Sequence, residues 1–299
     1  MDRIDQVNRI LTGAIDSHAH TGPGIFDRVG DSIDIARQAR SYGMRAIVLK
    51  CHQGITSDRA ILVNKVVPDI NVYGGVVLNR YVGGINPYAV EIAIRFGAKI
   101  VWMPTQWAQH HMDIFGKPEY KHMKQTSATV DLPKKGITIL DENGQLTFET
   151  KLVLEIIKMN NVALATGHLT KDEIKILIDE ASKMGIKKII LTHVTFTELW
   201  NWSIEEQKEL IKKGATIEHV ALYSFKNRFL VSAKEVAHMI KEVGHENVLI
   251  SSDCGQLKLP SPPEGIRLFI NMLLDEGIEE DALHYMLKDS PIRLLGLGC

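Results

Sequence analysis

"VALATGHLTKDEIKILIDEASKMGIKKIILTHV", residues 162–194, holds one complete strand–helix–strand unit and sets the period of the whole chain. It opens on the apolar run "VALATGH" (162–168), which reads as a strand buried on both faces. "TKDE" (170–173) follows, an S/T-x-x-E capping box that satisfies the free N–H groups at a helix start. The helix runs to "MGI", where glycine stops it, and "KKIILTHV" (187–194) is the next buried strand. Both strands end in a histidine, His168 and His193.

The same unit recurs in both directions. "AIDSHAH" (14–20), "RAIVLKCH" (45–52), "VYGGVVLN" (72–79) and "AKIVWMPT" (98–105) precede it, and "ATIEHVA" (215–221) and "NVLISSDCG" (247–255) follow. Successive starts lie roughly 30 residues apart, the length of a βα unit, except for one gap about twice as long. "SIEE" (203–206) and "SAKE" (232–235) are further capping boxes, and "NPYAVEIAIRFG" (86–97) has Asn at the cap, Pro at the first helical position and Gly at the stop. Eight strands, each followed by a helix, give the count of a closed (β/α)8 TIM barrel. An open doubly wound sheet has fewer strands and a glycine-rich phosphate loop, and neither G-x-G-x-x-G nor G-x-x-x-x-G-K-[ST] occurs here.

The expected organisation is therefore one α/β barrel domain over residues 1–299, with an insertion at about 106–150 after the fourth strand. Within it "GITILDENGQLTF" (136–148) reads as a β-hairpin around Asn-Gly, and the helix "TKLVLEIIKMNN" leads to the fifth strand. Loops after barrel strands form the active-site face, so this one reads either as a lid or specificity flap or as a plain surface excursion.

The bulk properties exclude several classes. A formal charge of -1 gives no basic stripe for nucleic acid, and no apolar run reaches the length of a membrane span. "MDRIDQVNRILTG" carries charge from its start and spaces Ile4, Val7, Ile10 and Leu11 as a helix does, which is unlike a secretion signal. Cys51, Cys254 and Cys299 are an odd set without a C-x-x-C pair, so a reduced, cytoplasmic protein is expected. Its expected partner is a small-molecule substrate, with association into a homo-oligomer left open.

Six of the twelve histidines fall at strand ends: His18, His20, His52, His168, His193 and His219. Asp253 ends the eighth strand in the same way. In a closed ring the first and eighth strands are neighbours and the fifth and sixth lie across from them. His18, His20, His168, His193 and Asp253 then converge above the barrel axis. Residues two apart on a strand share a face, so both imidazoles of "HAH" point inward while Ala19 points away. Imidazole plus carboxylate is the donor set of a divalent first-row ion. For any one of these histidines a buried core position is the alternative.

"DSHAH" at the first strand, "ATGH" at the fifth, "LTHV" at the sixth and "SSDCG" at the eighth resemble the signature of the amidohydrolase superfamily of metal-dependent barrel hydrolases. "SPIRLLGL" (290–297) is similar to a terminal helix of several members. The resemblance implies one or two divalent ions, with zinc first and Mn2+, Fe2+ or Ni2+ as alternatives. It gives His18, His20 and Asp253 to the more buried ion. His168 and His193 go to a second ion, or His168 serves a single ion while His193 contacts water or substrate. Asp253 would take the proton of the attacking water and pass it to the leaving group. Many two-metal members carry a bridging carboxylated lysine or a glutamate after the fourth strand, but "VWMPTQW" has neither. The nearest substitute is Lys50 in "LKCH". Either Lys50 is carboxylated and bridges two ions, or it binds substrate as an amine while His52 ligates or donates a hydrogen bond.

Further candidates share that face. Asn79 and Arg80 follow the third strand, and Arg80 could clamp a carboxylate or phosphate. Thr105, Gln106 and Trp107 follow the fourth. Glu218 and His219 end the seventh, where alternation lets only one point inward, and His219 is taken as the substrate contact. His110, His111 and His122 in the insertion are expected to be solvated, and Cys254 to pack. The expected activity is hydrolysis of a C–N or C–O bond in an amide, cyclic amide or lactone by metal-activated water, with Asp253, Lys50 and His193 as catalytic groups. A metal-dependent decarboxylase, a phosphoesterase and a non-catalytic metal-binding barrel are the alternatives.

Overall fold

Each apolar run found in the sequence is a strand, and the eight runs form a ring. The computed structural model describes residues 2–117 and 135–298. Its strands are β1 (Ile15–His20), β2 (Ala46–Lys50), β3 (Asn71–Tyr73), β4 (Gly75–Val77), β5 (Ile100–Trp102), β6 (Ala163–Ala165), β7 (Ile189–Leu191), β8 (Ala215–Val220) and β9 (Val248–Ser251). Every pairing is parallel, in the order β1-β2-β3 and β4-β5-β6-β7-β8-β9.

β3 and β4 are the two halves of the third predicted strand, parted at Gly74. A Cβ on Gly74 would lie 2.3 Å from the Ser57 nitrogen and 2.4 Å from the Thr56 carbonyl carbon, so the start of helix Ser57–Val66 presses directly on the strand there. Thr56 replaces the missing ladder. Its N–H donates to the Gly75 carbonyl at 3.0 Å, and its Oγ1 accepts from the Gly75 N–H at 2.9 Å.

The ring shuts between β1 and the residues just past β9. Asp253 N donates to the His18 carbonyl at 2.9 Å, and His20 N donates to the Cys254 carbonyl at 3.0 Å. Asp16 adds a side-chain staple, accepting at Oδ1 from the Ser252 N–H at 3.0 Å and from the His18 N–H at 3.1 Å. Residues of opposite parity on the strands build two cores. Ile15, Val48, Val77, Trp102, Ala165 and Leu249 belong to the inner one, joined by Leu294 and Leu295 of the terminal helix Ser290–Leu295. Ile47, Leu49, Val101, Leu164 and Ile217 face the surrounding helices instead.

The predicted caps are present. Thr170 with Glu173, Ser203 with Glu206 and Ser232 with Glu235 each form a reciprocal capping box, and Asn86 caps a helix that opens on Pro87. The first helix, Arg3–Leu11, buries Val7, Ile10 and Leu11 but leaves Ile4 outside. The insertion leaves β5 through helix Gln109–Phe115 and returns through helix Phe148–Asn160. In place of a hairpin of two strands it has one tight antiparallel turn, with Asp141 N bonded to the Gln145 carbonyl at 2.8 Å and a single bridge between Leu140 and Leu146. His122 lies outside the described residues. Among the described residues, no helix is long and apolar enough to cross a membrane.

Candidate metal centre

Parity carries the side chains of the strand ends into one place. On β2, Ala46 and Val48 belong to the inner core, so Lys50 continues that column to the open end of the ring, where it is buried. Its Nζ lies 2.9 Å from His18 Nε2 and 5.4 Å from the centre of the Trp102 ring. His18 and His20 end β1. The same carboxylate oxygen, Asp253 Oδ1, lies 3.1 Å from His18 Nε2 and 3.0 Å from His20 Nε2. The ligand atoms of His18, His20 and Asp253 all fall within 4.8 Å of one another.

Those separations suit a shared ion. Donors about 2.0–2.1 Å from a common zinc stand roughly 3–3.4 Å apart. The electrostatics also ask for a cation at this point. Burial raises the Asp253 and Glu218 carboxyls, but the imidazole of His18 outweighs it, holding Asp253 well below the carboxylate range and Glu218 at about 2. Burial and Lys50 press His18 downward, yet Asp253 and Glu218 together lift it to about 9. Burial, with Arg28 adding to it, takes His20 down to about 3, and burial takes Lys50 to about 8 against the pull of Asp253 and Glu218. Two buried carboxylates that draw a proton onto His18 beside a neutral His20 make a site that a divalent ion fits, taking the place of that proton.

His168 and His193 form a second group on the same cavity. Their Nε2 atoms are 3.1 Å apart, and burial lowers both, His193 to about 4 and His168 well below its usual value. His193 Nδ1 is buried with no hydrogen-bond partner among the described residues. Lys50 lines the same cavity, and its charge works against protonation of His18, His20, His52, His168 and His193. His193 at φ 25° and Asp253 at φ 51° hold left-handed backbone, a costly conformation for these residues that recurs where geometry is imposed by function.

The remaining candidates divide. His52 is buried, stacks on His20 with centroids 4.9 Å apart, and shares a hydrogen bond with Thr105 Oγ1 at 3.0 Å. Gln106 lines the cavity. Asn79 is fully engaged elsewhere: Nδ2 donates to the His52 carbonyl and Thr105 Oγ1, while Oδ1 accepts from the Thr105 and Trp107 amides. It splices the loops after β4 and β5 and has no donor left for substrate. Arg80 points to the Lys135 carbonyl and over the Trp107 ring, tying down the returning insertion, so the expectation of a substrate clamp there is corrected. His219 is corrected as well. Ile217 faces the helices, so His219 does too, and it does not line the cavity. Its neighbour Glu218 points inward, with Oε1 3.0 Å from His18 Nδ1 and accepting from Ser251 Oγ at 2.7 Å, and Oε2 accepting from the His193 amide at 3.0 Å.

Three residues were not singled out from sequence, and a fourth, His111, was expected elsewhere. Asp16 staples the ring under the ligands. His111, expected in solvent, is mostly covered and places Nδ1 2.9 Å from His168 Nδ1. Arg28 reaches His20 Nδ1 at 3.3 Å, and Tyr223 is buried against the cavity with its hydroxyl raised by burial and by Asp253. Capping and periodicity give no sign of any of them. Cys51 and Cys254 are buried free thiols, Cys254 packed against Gly265.

The family of unknown function DUF6282 matches residues 13–218, a span that contains every histidine of the centre but not Asp253. No curated protein sequence matches significantly. Among solved structures, an amidohydrolase from Pseudomonas aeruginosa is similar at 13% identity over 99% of this chain and 98% of its own, with a TM-score of 0.65. A probable dipeptidase from the same organism is 12% identical over 98% of each chain, at 0.66. A putative 2-pyrone-4,6-dicarboxylic acid hydrolase from Pseudomonas putida is 16% identical over 96% of this chain and 98% of its own, at 0.58. At these identities the likeness is one of fold, and the fold is the barrel of solved amidohydrolases.

Proposed function

The chain belongs to the family of unknown function DUF6282, and we propose that it is a metal-dependent hydrolase of the amidohydrolase type, cleaving a C–N or C–O bond in an amide, cyclic amide or lactone. The observation that carries this reading is the meeting of His18, His20 and Asp253 at the open end of the ring, beside the His168–His193 pair on one cavity. His18, His20 and Asp253 would hold the buried ion, zinc first among the divalent candidates, and His168 and His193 a second. Such an ion supplies a water acidified towards neutral pH and a Lewis acid for the carbonyl oxygen.

The protein's own groups do the rest. Asp253 uses Oδ1 for both histidines, which leaves Oδ2 to take the proton of the attacking water and hand it to the leaving nitrogen or oxygen. Glu218, held by Ser251, fixes the tautomer of His18 by accepting from Nδ1–H, so that Nε2 presents its lone pair. Tyr223 stays protonated and offers a hydroxyl donor to charge developing on the carbonyl oxygen. Lys50, lining the same cavity, acts either as a carbamate formed from its amine and carbon dioxide with loss of a proton, or as the amine itself.

The test is a metal-loaded panel of esters, lactones, amides, phosphate esters and carboxylated substrates, run beside Asp253→Asn. Loss of at least 100-fold in kcat with the ion still bound is the expected outcome. Full activity in the variant contradicts the proton-transfer role, and release of carbon dioxide without hydrolysis would make the enzyme a decarboxylase.

A further inference from the structure

The cavity above the ligands, about 660 Å3, has the size of a small-molecule site. Its cations do not all have the same freedom. Arg228 leans on Glu198 at 3.4 Å, and Lys258 is exposed at the rim. Lys50 is packed against His18. Arg28 differs from them: it is half-buried, it lines the cavity, and no carboxylate among the described residues lies within 4.0 Å of it, the buried Asp253 acting on it only from further off. Its one hydrogen bond runs from Nη2 to His20 Nδ1 at 3.3 Å, and it gives way once Nε2 holds an ion and Nδ1 carries the ring proton.

The guanidinium is also held in place. Its carbon sits 5.8 Å from the centre of the Phe26 ring. The backbone beside it is clamped to the loop after β9, through an antiparallel bridge between Arg28 and Gln256 and a 3.0 Å bond from Val29 N to the Gly255 carbonyl. That loop approaches β1 so closely that a Cβ on Gly255 would stand 1.9 Å from the His20 carbonyl oxygen. A guanidinium carries five donors in a rigid fork, and only one is used here. An unpaired, preorganised arginine in a partly desolvated pocket is an anion site. It lies across the His20 ring from Nε2, so the anion it binds is about one imidazole's width from the reacting centre.

Another part of the lining is mostly apolar, with the Arg228 guanidinium carbon 5.8 Å from the centre of the Phe196 ring. Phe115 stacks on Phe196 at 5.7 Å, Phe196 on Tyr223 at 4.8 Å, and Leu222 and Leu257 complete it. We propose that the substrate is a carboxylate with an apolar or aromatic body, its carboxylate gripped by Arg28 a few bonds from the scissile carbonyl. This rests on the hydrolase reading for the word substrate alone, because the subsite itself is defined by binding. A single planar fork flanked by a ring suits a monoanion better than a phosphate dianion, which takes more donors.

Zinc-loaded protein is titrated calorimetrically with 3-phenylpropanoate, 3-phenylpropanamide and phenyl phosphate, as wild type, Arg28→Met and Arg28→Lys. Metal content and thermal melting are recorded for each. The carboxylate binds wild type at least tenfold tighter than the amide. Arg28→Met removes that advantage with metal content unchanged, and Arg28→Lys restores part of it. Equal carboxylate affinity in wild type and both variants overturns the proposal, because the acid then sits on the metal ligands. A tenfold preference for phenyl phosphate overturns it too. Because binding is read apart from the substrate panel, a protein inert on that panel with an Arg28-dependent carboxylate preference defeats the hydrolase reading alone, and an active one without that preference defeats the subsite alone.

Discussion

Glu218 and His219 are adjacent on β8 and have opposite fates. Glu218 is a buried anion with three partners, whereas both ring nitrogens of His219 are buried without a hydrogen-bond partner among the described residues. Burial lowers His219 from 6.5 to about 4, with Glu218 opposing it weakly. The unfolded chain therefore binds the proton that the folded one refuses. Stability from this residue is complete above pH 6.5 and is lost as pH falls towards 4, at no more than about 1.4 kcal/mol per pH unit. His219→Leu removes a polar group that gains nothing from burial, so its melting temperature at pH 7 equals or exceeds wild type and drops less between pH 7 and pH 5. Thermal denaturation at the two pH values measures this. His111 tests the second group. Through Nδ1 it holds the tautomer of His168, so His111→Phe weakens uptake of a second ion by about 10–100-fold while the first is kept, as metal titration with cobalt absorption would show. At this scale the sequence was half legible. Strand alternation demands that one of Glu218 and His219 face in, but the parity depends on which residues the ring closes around. His111 lies on a helix whose placement over the cavity no local pattern encodes.

The elements were more legible, because buried strands and capped helices are written in short windows. The three capping boxes and the Asn-Pro start lie where the residues place them. What no window contains is how one element presses on another. The third strand reads as continuous in sequence, yet it breaks at Gly74 because helix Ser57–Val66 begins against it. Gly74→Ala puts a methyl group into backbone that cannot retreat, and costs about 1–3 kcal/mol in urea unfolding. An unchanged midpoint would show that the strand can shift to accommodate it. The hairpin of the insertion was overread for the converse reason. Its Asn-Gly turn forms, but a turn signal does not specify how far the flanking pairs extend.

At the scale of the molecule, closing the ring turns six dispersed segments into a site. β1 and β9 are distant in sequence and are joined by Asp16, Ser252 and two backbone bonds, so the candidate ligands His18, His20 and Asp253 sit on the seam itself. The count of strands revealed the ring, and the ring made the convergence of histidines predictable. The anion site at Arg28 was not, since it depends on a loop clamped to the far end of the chain. An ion on that seam ties together elements that thermal unfolding separates, and its removal by chelation lowers the melting temperature through loss of the binding free energy. Metal analysis of wild type and His20→Asn, each saturated with zinc and dialysed into metal-free buffer, tests the account most directly. The account predicts at least one ion per chain in wild type and loss of the tightly held ion in the variant. A folded wild type that retains none, or a variant that retains as much as wild type, would contradict it.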